Sequence, residues 1–224
     1  GIYWFNGGGT PAITGLVENN MVSVGYPGST SSCYGLYMSN IGYMDVNHNT
    51  LLVSAGGTAS RAYYPASGGG NNVKNNIFAN YTGGYAIYLG NAFAVAQCDH
   101  NVLYSPAGNI GYYSGNQQTM ADWQNASAFD ANSIDNNPMF FSSEDLHVCN
   151  DTIGNQGTPI ASITMDIDGQ MRSATTPDMG ADEFSGLTGS FLGPDALVCA
   201  GDSIMISAGS PTDTILWSTG DTTA

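Results

Sequence analysis

The chain has 224 residues and a formal net charge of −15, from 3 Lys+Arg against 18 Asp+Glu. A surface this acidic has nothing with which to neutralise phosphate, which excludes nucleic acid and anionic lipid as partners. No apolar run approaches the roughly 18 residues a membrane-spanning helix requires, which excludes membrane insertion by a helix. The polar surface must come from Asn, Ser, Thr, Gly and Tyr, as in many extracellular β-proteins, and the 30 Gly and dense Asn suit a fold with many tight turns.

In chain order, Gly1-Ile2-Tyr3-Trp4-Phe5 reads as a strand. Val17-Glu18-Asn19-Asn20 then leads into Met21-Val22, and Gly25–Ser32 reads as a loop leaving the coil. The same pattern returns three times. Val46-Asn47-His48-Asn49 leads into Thr50-Leu51-Leu52-Val53, Val73-Lys74-Asn75-Asn76 into Ile77-Phe78, and Cys98-Asp99-His100-Asn101 into Val102-Leu103-Tyr104. The steps between Asn20, Asn49, Asn76 and Asn101 are 29, 27 and 25 residues. A second landmark runs in phase: Gly1-Ile2-Tyr3, Gly35-Leu36-Tyr37, Arg61-Ala62-Tyr63, Ala86-Ile87-Tyr88 and Ile110-Gly111-Tyr112.

A period near 25 residues holds two or three short strands with turns, and no 3.6-residue apolar period accompanies it. These are the coils of a parallel β-solenoid, in which stacked coils share one core and equivalent residues lie about 4.8 Å apart. Asn20, Asn49, Asn76 and Asn101 are expected to form a structural ladder at one corner, their amides bonding to each other and to the turn backbone. From Asp122 the repeat breaks. Asp122-Trp123-Gln124 reads as the start of a short helix anchored on the coils by Trp123, and Asp145-Leu146-His147-Val148 as a returning strand.

The set formed by Asp99–Tyr104, Asp122-Trp123, Asp130–Ile134, Asn137–Phe140, Asp145-Leu146-His147, Asp166–Arg172 and Gly180–Phe184 resembles the C-terminal part of right-handed parallel β-helix surface proteins of Bacteroidetes, the choice-of-anchor type. One departure is visible: Cys149–Ile153 stands where that family carries a Ser-Pro-like stretch. From Val198 to Asp221 the chain resembles the first strands of the PKD- or Ig-like modules of gliding and adhesion proteins, with Trp217 as core tryptophan and Cys199 pairing beyond these residues. The resemblance implies an all-β chain divided into residues 1–186 as β-helix with closing segment, 187–194 as linker, and 195–224 as a truncated Ig-like module. It also implies export by the type IX pathway to the cell surface, and O-glycosylation of Asp-Ser/Thr motifs at Thr152, Ser203, Thr214 and Thr222. Because both ends stop in strand-like sequence, the chain is expected to be part of a longer protein.

The function expected is that of an extracellular adhesin or stalk segment, a rigid spacer or a rod that binds surface glycans or other envelope proteins. Tyr63, Tyr64, Tyr112 and Tyr113 are candidates for stacking on sugar rings, with a structural aromatic stack as the alternative. The enzymatic alternative is a polysaccharide lyase or glycoside hydrolase whose catalytic coils lie mostly outside these residues. Only Arg61, Lys74 and Arg172 could neutralise a uronate. Asp45 and Asp99, at apparently equivalent corners two coils apart, would lie roughly 9.6 Å from each other, within inverting range. The intervening position is Asn72, however, and no catalytic residue is assigned.

His48 and His100 are too far apart to share a metal and read as turn-bonded or exposed. Asp166-x-Asp168-Gly169 is a candidate calcium loop without the downstream ligands of an EF-hand, with an Asx turn as the alternative; no other cofactor is expected. The wide spacing of Cys33, Cys98, Cys149 and Cys199 argues against zinc and leaves their pairing open, with Cys98 reading as a small core residue.

Overall fold

The computed structural model describes residues 1–184. The linker and Ig-like expectations for 187–194 and 195–224 lie outside the described residues. Strands β1 (Ile2–Gly8), β4 (Tyr34–Gly42), β7 (Arg61–Pro65), β10 (Tyr85–Leu89) and β13 (Asn109–Tyr113) pair in parallel into one sheet, closed by the short antiparallel β14 (Asn116–Gln117). Strands β2 (Gly15–Glu18), β5 (Met44–Asn47), β8 (Asn71–Lys74) and β11 (Val95–Asp99) form a second sheet. Strands β3 (Met21–Val24), β6 (Thr50–Val53), β9 (Ile77–Asn80) and β12 (Val102–Tyr104) form the third. Each sheet takes one strand from each successive coil, so the chain is a parallel β-solenoid of about four turns.

Three columns of inward-facing residues, one per sheet, run through the core. The register aligns Ile2, Leu36, Tyr63, Ile87 and Gly111 in the first sheet. It aligns Val17, Val46, Val73 and Cys98 in the second, and Val22, Leu51, Phe78 and Leu103 in the third. One coil alone could not dehydrate these side chains; stacking does so, because each residue is covered by its equivalents above and below. Tyr63 and Phe78 meet across the interior with ring centroids 5.0 Å apart. Cys98 is a buried core residue, and Cys33, Cys98 and Cys149 are free thiols.

After β14 the chain forms α1 (Met120–Ser127), started by a Thr119–Asp122 capping box. Trp123 on this helix is fully buried over the end of the core. Gly111 makes room for it: a Cβ there would lie 2.3 Å from the indole ring.

The segment after residue 128 returns over the third sheet. Ile134 bridges to Val102, Phe140 and Leu146 pack on Leu52 and Ala79, and Val148, Ile153, Met179 and Phe184 pack on Ile77 and Val102. Both faces of β6 and β9 are thereby buried, which is why these strands read as continuous apolar runs instead of alternating ones. Arg172, at the far end of this segment, is a buried strut. Its guanidinium donates to Asn19 Oδ1, to the Gly180 and Ala181 carbonyls, and to Glu183 Oε2 at 3.3 Å. No helix among the described residues is long and apolar enough to cross a membrane.

Candidate functional site

The outer face of the first sheet carries an aromatic ladder. Because equivalent residues stack strand upon strand, the residue after each inward core position faces outward at the same height: Tyr3, Tyr37, Tyr64, Tyr88 and Tyr112. Their successive ring centroids are 5.5, 5.3, 5.2 and 4.3 Å apart, stacked in the first and last contacts and edge-on in the two between. Phe5, Tyr34 and Tyr85 widen the ladder on either side. Tyr3 and Phe5 are more than half exposed, and the other tyrosines of the ladder are partly exposed.

Arg61 is set into the middle of this face. Its guanidinium carbon lies 3.7 Å from the Tyr88 ring centroid and 4.0 Å from that of Tyr64, a cation held between two π-faces. The Arg61 Nε is buried without a hydrogen-bond partner. Partial desolvation raises the Tyr88 phenol above its ordinary value, opposed by the Arg61 charge. The face is thus a row of uncharged phenols around one cation, on a chain whose overall charge is strongly negative.

The candidate stacking residues divide. Tyr64 and Tyr112 belong to the ladder. Tyr63 does not: it is fully buried, and burial pushes its phenol well above the usual range. The Arg61-Ala62-Tyr63 landmark equates Tyr63 with Tyr37 and Tyr88, but the register pairs it with Leu36 and Ile87, so it fills the core and has no face for a sugar. Tyr113 stands edge-on to Trp123 at 6.5 Å and packs against the core end, not the ladder. Tyr3, Tyr37 and Tyr88, which complete the ladder, lay in the landmark triplets themselves and were legible as a column.

At the corner between the second and third sheets, Asn20 Nδ2 donates to Asn49 Oδ1 at 2.8 Å, Asn49 to Asn76 at 3.0 Å and Asn76 to Asn101 at 3.0 Å. The residues just before them, Asn19, His48, Asn75 and His100, all have positive φ, between 51° and 57°. Asn and His tolerate this left-handed conformation better than most residues, so their alternation here is a turn requirement. His48 is buried and turn-bonded: Nδ1 donates to the Gly180 carbonyl and Nε2 accepts from Asn75 Nδ2 at 2.9 Å. His100 lies beside Asp99, 3.3 Å away.

Asp45 and Asp99 are not equivalent. The register aligns Asp45 with Asn72 and, through it, with Gln97, whereas Asp99 aligns with Lys74. Each carboxylate is also occupied: Asp45 accepts from Thr14 and Asn72, and Asp99 accepts from the Asn132 backbone and side chain.

Asp166 and Asp168 do not turn their carboxylates to a shared centre. Asp166 Oδ1 accepts the backbone N–H groups of Asp168 and Gln170, and Oδ2 accepts that of Glu183, which is an Asx turn tied to the next segment. Asp168 instead reaches His147 Nε2 at 2.9 Å, and His147 Nδ1 meets Asp145. Those two bonds, Asp168 first, push the His147 pKa up to about 9.

Thr152 is exposed, with its hydroxyl donating to Asn150 Oδ1 and accepting from Asn136 Nδ2. Ser203, Thr214, Thr222, Cys199 and Trp217 lie outside the described residues. No protein-family model, curated protein or solved structure matches the chain.

Proposed function

We propose that the chain is a glycan-binding rod of an extracellular cell-surface protein. The observation that carries this reading is the ladder of Tyr3, Tyr37, Tyr64, Tyr88 and Tyr112 with Arg61 held between two of its rings. Phenol edges and hydroxyls offer apolar contact and hydrogen bonds together, which suits a sugar ring with its C–H face and its hydroxyl rim. The four strand spacings between five tyrosines give a linear track roughly 19 Å long, matched to a polymer more than to a small ligand. The net charge of −15 favours neutral glycans over uronates.

The resemblance of the C-terminal motifs supports a right-handed, choice-of-anchor β-helix from Bacteroidetes, exported by the type IX pathway. In that setting the rod holds its ladder away from the cell, an Ig-like module at 195–224 is one bead of a longer stalk, and Thr152, Ser203, Thr214 and Thr222 carry O-glycans. Other envelope proteins are the remaining class of partner.

The experiment is affinity electrophoresis and calorimetry against neutral and acidic polysaccharides, with reducing ends assayed in parallel. Binding to a neutral polysaccharide is expected, weakened tenfold or more by Tyr64→Ala with Tyr88→Ala, with no reducing ends released. Binding that ignores both substitutions, or no binding at all, leaves the ladder as sheet reinforcement and the chain as a spacer. Release of reducing ends would replace the reading with an enzyme.

A further inference from the structure

The closing segment brings three separate stretches to one point. The loop at 145–147, where the sequence predicts a returning strand but only an isolated Phe140–Val148 bridge forms, supplies His147, the Asx turn supplies Asp168, and the terminal stretch supplies Asp182. One ligand atom from each of the three lies within 4.8 Å of the others. The supports of these side chains are those expected around a metal. Asp145 Oδ1 engages His147 Nδ1, which fixes the ring and turns Nε2 toward Asp168, where a cation would take the place of the Nε2 proton. Asp166 accepts the Asp168 N–H with one oxygen and the Glu183 N–H with the other, so a single carboxylate sets the spacing between the Asp168 and Asp182 backbones.

Asp182 provides the independent observation. The residue is only 5% exposed. Its neighbours include the carboxylates of Asp166 and Asp168. An acid buried beside two others is costly to ionise, and a shared cation relieves that cost.

We propose that His147, Asp168 and Asp182 bind one divalent cation of the zinc class and thereby clamp the closing segment. An imidazole ligand with two carboxylates suits zinc and its transition-metal neighbours, whereas calcium takes six to eight oxygens. Three protein ligands leave a fourth position for water. Bond lengths near 2.0–2.1 Å in a tetrahedron require ligand atoms about 3.3 Å apart, so the 2.9 Å His147–Asp168 contact opens by a few tenths of an ångström on binding. This places the cation at a site different from the Asp166–Asp168 pair that the sequence suggested for calcium.

The test is titration of the metal-stripped chain with zinc chloride, followed by calorimetry and by nitrogen NMR of the histidine rings. One equivalent is expected to bind, the His147 Nε2 resonance to shift, and calcium to fail to compete at tenfold excess. His147→Gln and Asp168→Asn should each weaken binding at least tenfold. Absence of stoichiometric binding, binding unchanged in both variants, or an unshifted His147 Nε2 at saturating zinc would overturn the proposal. The NMR measurement uses the unaltered chain and decides the matter even if a variant does not fold.

Discussion

Asn101 is anchored on Asp130: its Nδ2 donates a hydrogen bond to Asp130 Oδ1 at 3.0 Å, and this contact ends the asparagine ladder. A ladder of amides needs a final acceptor: Asn101 Nδ2 gives one N–H to the Val73 carbonyl, and the other would be left buried and unpaired without Asp130. Asp130 is itself buried, and it also accepts from Ser133 Oγ and from Trp123 Nε1 at 2.8 Å. One carboxylate therefore joins the corner ladder, the turn after α1 and the tryptophan that covers the core.

Replacing Asp130 by Ala strands three buried donors at once. The expected cost is about 3–5 kcal/mol, seen as a lower urea midpoint with the slope unchanged. A loss under 1 kcal/mol would show that the ladder needs no terminator.

The Tyr63 hydroxyl is buried with no partner, inside a side chain otherwise stacked on Phe78. Tyr63→Phe removes that unpaired group and keeps the ring. Stability should rise by roughly 1 kcal/mol, and polysaccharide binding should not change. Weakened binding in this variant would return Tyr63 to the candidate site.

Gly180 has φ +99° and no room for a side chain: a Cβ would lie 2.6 Å from Ile77 Cδ1 and 2.8 Å from Thr50 Oγ1. Gly169, with φ +81°, has nothing within 4 Å. Gly180→Ala should cost roughly 2–4 kcal/mol, from strain and overpacking together, and Gly169→Ala about 1 kcal/mol from strain alone. Equal thermal shifts for the two variants would contradict this account of how the closing segment docks.

Two buried groups give opposite dependences on pH. Burial, then the Arg172 charge, pushes the His48 pKa down to about 3. The folded state thus binds fewer protons at this site than the unfolded one, and its contribution, at most about 5 kcal/mol, is present above pH 6.5 and lost as pH falls toward 3. Burial pushes Asp178 up to about 6. Its contribution runs the other way, fully present below the unfolded value of 3.8 and lost as pH rises through 6. Urea denaturation between pH 4 and pH 7 separates them. His48→Asn, a residue the left-handed corner already accepts at Asn19 and Asn75, should abolish the acid-side loss, and Asp178→Asn should abolish the acid-side gain. Unchanged pH profiles in both variants would contradict these assignments.

The asparagine spacing and the Ile/Leu-Tyr landmark determined the coil period and the solenoid. They could do so because each coil repeats one local pattern, and repetition places equivalent residues on top of one another. Trp123 and its helix were legible for a similar reason, since a capping box followed by an indole is a local signal. Register was less secure: a landmark that equated Tyr63 with Tyr37 put a core residue on the surface, and a two-residue misalignment made Asp45 and Asp99 look equivalent. Only the tertiary structure decided where the non-repeating segment goes. Asp130 beneath Asn101, Arg172 beside Asn19, Gly180 against His48, and His147 with Asp168 and Asp182 join residues brought together by the chain's return over the third sheet. Such contacts have no period, so their partners are fixed by how the closing segment packs and not by any pattern within it.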